Sequence, residues 1–396
     1  MSWLRKYLSI SLFFQNISTS ERQLGFKKET SCNRAIQQVR NITNWFVSKK
    51  NTANVACLDI KKAFDRVNIW KLLLILQKKY INPCILDILE FWSNISSARV
   101  KWNNTLSNAV PLTAGVRQGG ILSPLLFTIY IDSVLHELEQ SKLGCFINSK
   151  CANSFLYADD LILLSIYVCD LQLLVNKCLV VFEDLDLQLN DAKSVCLRIG
   201  PRFAVLCKPI LAAGCQLAWV KEAKYLGIFI QSSASLTFNW HSARCSYYKA
   251  LNNILGALSH NPPINVVLSL VSSSCFPILT YGIQAVHLSC SDIRRFTFVY
   301  NNIFHKLFNV KEHKVISQCQ YFCNVWPFYA LYDYLRFSFL SFQFKKDGMA
   351  IRNGFYQKDF KDMTQIASKY NLNVTDSKPK LKFKIWKFVE NSLSTL

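Results

Sequence analysis

Two adjacent carboxylates, Asp159 and Asp160, interrupt a stretch from Ser154 to Ser165 that is otherwise largely apolar. Successive side chains of a β-strand point to opposite faces, so one continuous strand could not bring both carboxylates to one site. The tip of a β-hairpin could do so. An exposed acidic turn is the ordinary alternative, because Asp is common in turns. The apolar flanks are typical of core strands and favour a hairpin that belongs to a core.

A third carboxylate, Asp59, lies near the end of another apolar run, Val55–Ile60, which predicts a short buried strand. Apolar residues at helical spacing follow between 61 and 80, and Asn82-Pro83 predicts the end of that helix. A strand that leads an Asp into a helix is a common catalytic arrangement. The same Asp could also serve only as a helix cap.

A glycine-rich loop, Gly115-Val-Arg-Gln-Gly-Gly120, precedes a third apolar stretch. Ser123 is the predicted N-cap of a helix, and Pro124 would occupy its first position. Backbone amides of such a loop and the positive end of the helix can bind a phosphate. Many glycine-rich loops are only turns, so this loop alone does not indicate a function.

The three carboxylates predict a metal site if they converge. Like charges about 4 Å apart repel by about 4 kcal/mol at an effective dielectric constant of 20. Such a cluster stays ionised only with cations, and carboxylate oxygens suit Mg²⁺ that is held partly by substrate phosphates. Two ions about 4 Å apart could activate an attacking oxygen and stabilise a leaving one in phosphoryl transfer.

The charge of the chain predicts a polyanionic partner. The 396 residues carry 46 basic and 25 acidic side chains, a net charge of +21, and hydrophobic residues make up 51%, which favours several folded domains over disorder. Residues 151–200 reverse the sign, with seven acidic and three basic side chains. Residues 251–290 carry no charge, but polar residues and prolines interrupt them, so we expect buried helices and no membrane partner.

Cysteine usage favours an intracellular protein. The 15 cysteines include no C-x-x-C pair, and His313, Cys319 and Cys323 fit no usual zinc spacing, so we expect reduced thiols and no zinc site. The apolar run at 7–14 is short, and no small-residue cleavage site follows it. We therefore expect location in the nucleus, the cytoplasm or both, and no secretion.

In their order along the chain, these patterns resemble motifs A, B and C of reverse transcriptases. Two further segments resemble motif D, Leu189-Asn-Asp-Ala-Lys-Ser194, and motif E, Lys224-Tyr-Leu-Gly227. Within that superfamily the match is most similar to non-LTR (LINE-type) retrotransposons, with group II intron enzymes as the nearest alternative. The motifs that carry the resemblance are Leu58-Asp-Ile-Lys-Lys-Ala-Phe-Asp65, Gly115-Val-Arg-Gln-Gly119 with Leu122-Ser-Pro-Leu-Leu-Phe127, and Phe155-Leu-Tyr-Ala-Asp-Asp160, with Gly25-Phe-Lys-Lys-Glu-Thr-Ser-Cys32 upstream.

The resemblance implies an RNA-directed DNA polymerase that transfers deoxynucleotides from dNTPs to a DNA primer on an RNA template with two Mg²⁺ ions, or Mn²⁺ as an alternative. Protein partners are not indicated. Ordinary packing and solvent exposure are the alternatives for Phe64 and Lys193. The resemblance implies that the metal ions are bound by Asp59, the Ile60 carbonyl, Asp159 and Asp160. It implies that Phe64 excludes a 2′-hydroxyl and that Gln118 and Gly119 contact the nucleotide. It also implies proton donation by Lys193 and a primer grip at Tyr225, Leu226 and Gly227.

The resemblance also implies an α+β fold: a right-hand polymerase palm, an antiparallel sheet with packed helices, with partial fingers and an α-helical thumb. We assign partial fingers to 1–54, palm to 55–235, thumb to 236–345 and a basic extension to 346–396. Lys380, Lys382, Lys384 and Lys387 alternate with apolar and aromatic residues, which suits nucleic acid but also a solvated amphipathic end.

Only 58 residues precede Asp59, so most of the fingers and any endonuclease domain are absent from the resemblance. This pattern predicts a truncated copy of an element or a fragmentary gene model. Two hypotheses follow: an active polymerase, supported by the complete set of carboxylates, and an inactive remnant that only binds nucleic acid, supported by the missing fingers.

Overall fold

The computed structural model describes residues 17–258, 262–347 and 357–394. Contacts divide the chain into two units, with residues up to 35 and 42–237 in the first and 36–41 and 238–396 in the second. The predicted end of the palm at 235 lies close to this boundary. The apolar run at 7–14 and residues 348–356 of the predicted extension lie outside the described residues. The finer division into fingers, palm, thumb and extension stays a prediction.

The first unit combines a mixed β-sheet with helices, and residues 36–41 of its first helix are grouped with the second unit. Its described elements are α1 (Cys32–Ser48), β1 (Ala53–Leu58), α2 (Ile69–Lys78), α3 (Pro83–Asn94), β2 (Ser97–Ala98), β3 (Lys101–Trp102), β4 (Thr105–Leu106), β5 (Val110–Pro111), α4 (Ser123–Gln140), β6 (Phe146–Ile147), β7 (Lys150–Cys151), β8 (Ser154–Tyr157), β9 (Asp160–Ser165), α5 (Val168–Asp184), β10 (Val195–Ile199), β11 (Ile210–Ala212), β12 (Cys215–Trp219), β13 (Glu222–Tyr225) and β14 (Ile228–Gln231).

Six strands form the main sheet in the order β11-β12-β10-β1-β9-β8. Neighbouring strands are antiparallel except β10 and β12, which are parallel. Side chains alternate between faces along β1, and Ala56 and Leu58 lie in the core with residues of α4 and α5 such as Phe127 and Phe182. Cys57 and Asp59 therefore belong to the other face. The α+β class predicted from the sequence agrees with this mixture of helices and sheet.

Three predictions about individual elements need correction. The first strand ends at Leu58, so Asp59 follows it instead of lying inside it. The predicted helix over 61–80 consists of a 3₁₀ turn, Ala63–Arg66, and then α2, because the Asn68 side chain caps the second segment. Ser123 does not cap α4, since its hydroxyl donates to the Arg117 carbonyl and the helix already includes it.

The second unit is helical where it is described. Buried aromatic rings supply much of its core, including Phe276 stacked on Tyr300 at 4.2 Å and Phe296 stacked on Phe328 at 5.2 Å. After the strand β15 (Thr237–Asn239) at the boundary, its elements are α6 (His241–Ala257), α7 (Ile264–Ser274), α8 (Phe276–Thr280), α9 (Cys290–Phe308), α10 (His313–Phe322), α11 (Phe328–Asp347), α12 (Gln357–Tyr370) and α13 (Lys378–Ser394).

One described segment, Ile264–Ala285, is long and apolar enough to cross a membrane by length and composition. A single such segment is weak evidence, because core helices pass the same test. Here α7, α8 and a 3₁₀ turn at Ile283–Ala285 divide the segment, and Gly282 between them has φ +78°. Val267, Val271 and Leu279 are fully buried, as expected for core helices.

Candidate active site

A hairpin carries the two adjacent carboxylates, as the sequence predicts. Strands β8 and β9 pair up to Tyr157 and Asp160, so Ala158 and Asp159 form a two-residue turn. Ala158 has φ +56°, a left-handed conformation suited to such turns. A Cβ atom at Gly25 would lie 2.5 Å from the Ala158 nitrogen, so the upstream glycine lets the chain pass close beneath the turn.

Strand register brings Asp59 beside this hairpin. Strands β1 and β9 are antiparallel, and their last pair is Leu58 with Leu161. The residues next to this last pair are Asp59, which directly follows β1, and Asp160, the first residue of β9. Side chains of directly opposed residues share one face of the sheet, about 5 Å apart at the Cβ atoms. The sheet therefore brings together two carboxylates that are about 100 residues apart in the sequence.

The loop 188–194, which contains the segment that resembles motif D, contacts Asp59 through three of its residues. Asn190 Nδ2 donates to Asp59 Oδ2 at 2.8 Å, and the Asp59 backbone N–H donates to Ser194 Oγ at 3.1 Å. Lys193 Nζ lies 3.8 Å from Asp59 Oδ2, and the Lys193 side chain is 71% exposed. Lys193 can therefore reach Asp59 while most of its side chain stays in solvent.

Burial and neighbouring negative charge raise the pKa of two of the carboxylates, Asp159 and Asp160. Burial raises the pKa of Asp160 to about 6, and the charges of Asp159 and Asp59 contribute further. Burial also raises the pKa of Asp159, again with a contribution from Asp59. The positive charge of Lys193 lowers the pKa of both Asp159 and Asp160 but does not cancel the rise. The site thus carries negative charge that its own cations do not neutralise.

The donor set suits a hard divalent cation. Three carboxylates act on one another electrostatically, and a cation would relieve the cost of their ionisation. Among the residues that the structure describes, no group of three His, Cys, Asp or Glu side chains is close enough to form a ready metal cage. Mg²⁺ does not require such a cage, because one or two carboxylates with water and substrate phosphates hold it in many proteins. The residues therefore fit the ion.

The residues predicted to contact the nucleotide, Phe64, Gln118 and Gly119, belong to two segments that pack together. Phe64 stacks on Phe127 at 4.6 Å and meets Phe26 edge-on at 6.3 Å. The Val116 N–H donates to the Phe64 carbonyl, and Gln118 Nε2 donates to Asp65 Oδ1 at 3.0 Å. The glycine-rich loop is thus bonded to the 3₁₀ turn that carries Phe64, with Gly119 exposed at φ +81°.

The segment that resembles motif E forms a second hairpin. Strands β13 and β14 pair up to Tyr225 and Ile228, with Leu226 and Gly227 in the turn at φ +44° and +82°. Tyr225 is only 3% exposed, and its buried hydroxyl has no hydrogen-bond partner among the residues that the structure describes. Burial raises the pKa of Tyr225 far above its ordinary value. In this hairpin the exposed position of the predicted primer grip is Gly227.

The four predicted lysines lie on α13 in the second unit but differ in their surroundings. Lys380 and Lys384 both pair with Asp376, at 2.9 and 2.8 Å. Lys382 lies 5.9 Å from the centre of the Tyr334 ring, and Lys387 is exposed. Asp376 thus neutralises part of the positive charge that the sequence assigns to nucleic acid.

Sequence reasoning missed Asn190 and Ser194. Both belong to the quoted motif, but neither side chain is charged, so neither stood out beside the carboxylates and the lysine. Only the pairing of loop 188–194 with the end of β1 shows that they contact Asp59.

The sequence also matches a known family. The family model described as "Reverse transcriptase (RNA-dependent DNA polymerase)" matches residues 9–230, more than half of the chain. The chain belongs to the reverse transcriptase family. This match confirms the family inferred from the sequence motifs, and this family uses divalent metal ions.

The relatives of this reverse transcriptase chain include retrotransposon proteins. It is 24% identical to a Pol polyprotein of a type-1 retrotransposable element R2 from Popillia japonica, over 67% of this chain and 44% of the relative. It is 26% identical to the RNA-directed DNA polymerase of mobile element jockey from Drosophila funebris, over 70% and 32%. An apo telomerase from Candida tropicalis aligns at 12% identity and a TM-score of 0.46, over 100% of this chain and 59% of that one. The chain thus spans less than half the length of these retrotransposon relatives.

Proposed function

We propose that this chain is the polymerase region of a non-LTR retrotransposon protein and adds deoxynucleotides to a DNA primer on an RNA template. The convergence of Asp59 with Asp160 at the end of the sheet, with Asp159 on the adjoining turn, supports this proposal most strongly. The named relatives, which include an RNA-directed DNA polymerase, support it as well.

The carboxylates would hold two Mg²⁺ ions, together with the Ile60 carbonyl, which directly follows Asp59 in the chain. When bound, the ions would activate the primer 3′-hydroxyl and stabilise the charge of the departing pyrophosphate. The raised pKa of Asp160 reflects burial and the repulsion from Asp159 and Asp59, and such ions would offset the resulting cost of ionisation. The chain's own part is to bring the three carboxylates together and to orient them.

Lys193 would donate a proton to the pyrophosphate as it leaves. Its ammonium group lies 3.8 Å from Asp59 Oδ2 and its side chain is largely exposed, so it can move toward a bound triphosphate. Phe64 would restrict the space at the sugar and exclude a 2′-hydroxyl. Its ring is fixed between Phe26 and Phe127, which makes it a rigid wall.

The remaining predicted contacts concern the nucleotide and the nucleic acid. Gln118 and Gly119 would contact the nucleotide, and the turn at Tyr225, Leu226 and Gly227 would hold the primer end. Since Tyr225 is buried, we propose that it supports the turn from within. The exposed lysines of α13 would add salt-dependent contacts with phosphates.

We also propose that the protein acts inside the cell, in the nucleus, the cytoplasm or both. All 15 cysteines are free thiols, as expected in a reducing compartment.

Primer extension on an RNA template tests the polymerase proposal. We expect Mg²⁺-dependent incorporation of dNTPs by the full chain, and a loss of about 1,000-fold or more in Asp59→Ala, equivalent to about 4 kcal/mol of transition-state stabilisation. Asp186→Ala is the matched control, because Asp186 is an exposed carboxylate of the same unit that pairs with Lys71. No incorporation by the unaltered chain, with RNA binding retained, would support the inactive remnant instead.

A further inference from the structure

The loop that faces Asp59 contains a side chain without an assigned role. We infer that Asn190 is a positioning residue that fixes the carboxylate of Asp59 and also the backbone turn that carries Lys193. This inference rests on the proposed polymerase function, because Asp59 is the residue whose orientation it concerns. The positioning role of this neutral amide differs from metal binding by the carboxylates and from proton donation by Lys193.

Asn190 contacts Asp59 through both its side chain and its backbone. Its Nδ2 donates to Asp59 Oδ2 at 2.8 Å, and its backbone N–H donates to the Asp59 carbonyl at 2.8 Å. Two contacts on opposite sides of the Asp59 Cα restrict rotation of the carboxylate more than either contact would alone. The described contacts use Oδ2 and leave Oδ1 as the oxygen that can face a metal ion.

The same residue also holds the turn that follows it. The Asn190 carbonyl accepts hydrogen bonds from the Lys193 N–H at 3.2 Å and the Ser194 N–H at 2.9 Å. Ser194 Oγ in turn accepts from the Asp59 N–H at 3.1 Å. The contacts therefore form a closed ring from Asp59 through Asn190 and Ser194 back to Asp59. A change in the loop is transmitted to the carboxylate and to the base of the Lys193 side chain together.

An amide suits this position for electrostatic reasons. It donates to an ionised carboxylate without adding a positive charge, so it orients Asp59 without competing with a metal ion for negative charge. Lys193, at 3.8 Å and 71% exposed, is a looser partner of the same oxygen. When Lys193 moves to donate its proton, the amide keeps Asp59 in place. Positioning and proton donation are thus assigned to separate side chains.

Direct metal binding tests the inference without requiring catalysis. Electron paramagnetic resonance of free Mn²⁺ gives the dissociation constant of the full chain in the absence of nucleotide and primer. We expect Asn190→Ala to weaken Mn²⁺ binding by about 10-fold to 100-fold, the usual effect of losing a residue that orients a metal ligand. In an Asp59→Asn background, the same change should have no further effect, because the carboxylate that Asn190 orients is then absent.

Asn68→Ala is the matched control. Asn68 Nδ2 donates to Asp186 Oδ2 at 2.8 Å, the same kind of bond at an exposed position where no metal is proposed. This variant should bind Mn²⁺ as the unaltered chain does, although loss of the α2 cap should lower its melting temperature. A merely structural role for Asn190 would give the same pattern as this control. Wild-type Mn²⁺ affinity in a folded Asn190→Ala protein would overturn the inference.

A second variant covers the case in which Asn190→Ala does not fold. Ser194→Ala removes the acceptor of the Asp59 N–H at another point of the ring, and we expect Mn²⁺ binding to weaken several-fold. Unchanged binding in this variant would count against the ring. The polymerase proposal fails separately, through absence of primer extension by the unaltered chain, because the Mn²⁺ measurement needs neither primer nor template.

Discussion

Each unit contains a group of carboxylates, half-buried in the first unit and buried in the second, and the surroundings shift their pKa in opposite directions. In the first unit, burial and mutual repulsion raise the pKa of Asp160 to about 6. In the second unit, burial would raise the pKa of Asp359, but Arg40 and Arg336 outweigh burial and lower it well below its ordinary value. Asp362 behaves similarly, with His287 and Arg336 as its partners.

The difference shows which acidic cluster is available for chemistry. Arg336 is 1% exposed and contacts Asp359 and Asp362, while Arg40, Gln37 and Asn41 complete the partners of Asp359. Every charge in that cluster already has an internal partner, so it stabilises the packing of helices α11 and α12. In the first cluster, Lys193 and Lys224 lower the pKa of Asp160 without cancelling its rise, and the proposed metal ions would supply the remaining positive charge.

Removing an internal cation should have the largest effect on stability. We expect Arg336→Ala to lower the free energy of unfolding of the second unit by about 3–5 kcal/mol, because it leaves Asp359 and Asp362 buried with too little positive charge. Hydrogen-exchange mass spectrometry of peptides from α11 and α12 would measure this loss. Arg295→Ala is the control, since Arg295 is 66% exposed and its pair with Asp292 spans 4.0 Å. Equal protection in both variants would contradict a stabilising role for the cluster.

The second-largest expected effect is a difference in how the two clusters respond to acid. The pKa of Asp359 is lower in the folded chain than in the unfolded chain, where it is about 3.9, so its contribution is complete above pH 4 and is lost as pH falls through the folded value. We expect amide protection in α12 to be constant between pH 7 and 5, after correction for intrinsic exchange, and to collapse below pH 4. Collapse already between pH 6 and 5 would show that another group controls this helix.

The first cluster should respond with the opposite sign. Because the folded pKa of Asp160 is raised to about 6, protonation is favoured in the folded chain, and stability should rise as pH falls from 7 toward 4. Asp160→Asn should therefore stabilise the first unit at pH 7 by about 1 kcal/mol, after allowance for solvent screening, while abolishing primer extension. Thermal melts at pH 7 and 5 would check this, since the gain should shrink at the lower pH.

The same contrast between paired and exposed charges applies to α13, with the smallest expected effects. Lys387→Ala should reduce the salt dependence of RNA binding by about one unit of slope without changing stability. Lys384→Ala should cost about 0.5–1 kcal/mol of stability and change the slope less, because Lys384 pairs with Asp376 at 2.8 Å. Fluorescence anisotropy at several salt concentrations measures the slopes. Equal slopes for both variants would show that pairing with Asp376 does not keep Lys384 from contacting RNA.

The motifs predicted the chemical elements of the site better than their surroundings. The apolar runs around Asp159 and Asp160 predicted a hairpin, and the structure contains it with Ala158 and Asp159 in the turn. The predicted boundary of the first strand and the predicted cap of α4 were wrong. The Asp59 N–H donates to the distant Ser194, and the Ser123 hydroxyl donates to the Arg117 carbonyl in the preceding loop instead of capping the helix. The motif predicts that Tyr225 is part of a primer grip, yet Tyr225 is buried in the hairpin that carries it.

The sequence by itself determined the family and predicted the three candidate carboxylates, since their residue types and flanking motifs are local properties. Only the tertiary structure decided which charges have partners. Asn190 meets Asp59 across 131 positions, and Arg40 meets Asp359 across 319. Electrostatic energies depend on distance in space and on burial, which the order of residues does not specify. The same residue type, Asp, therefore becomes a proposed metal ligand in one unit and a buried structural anchor in the other.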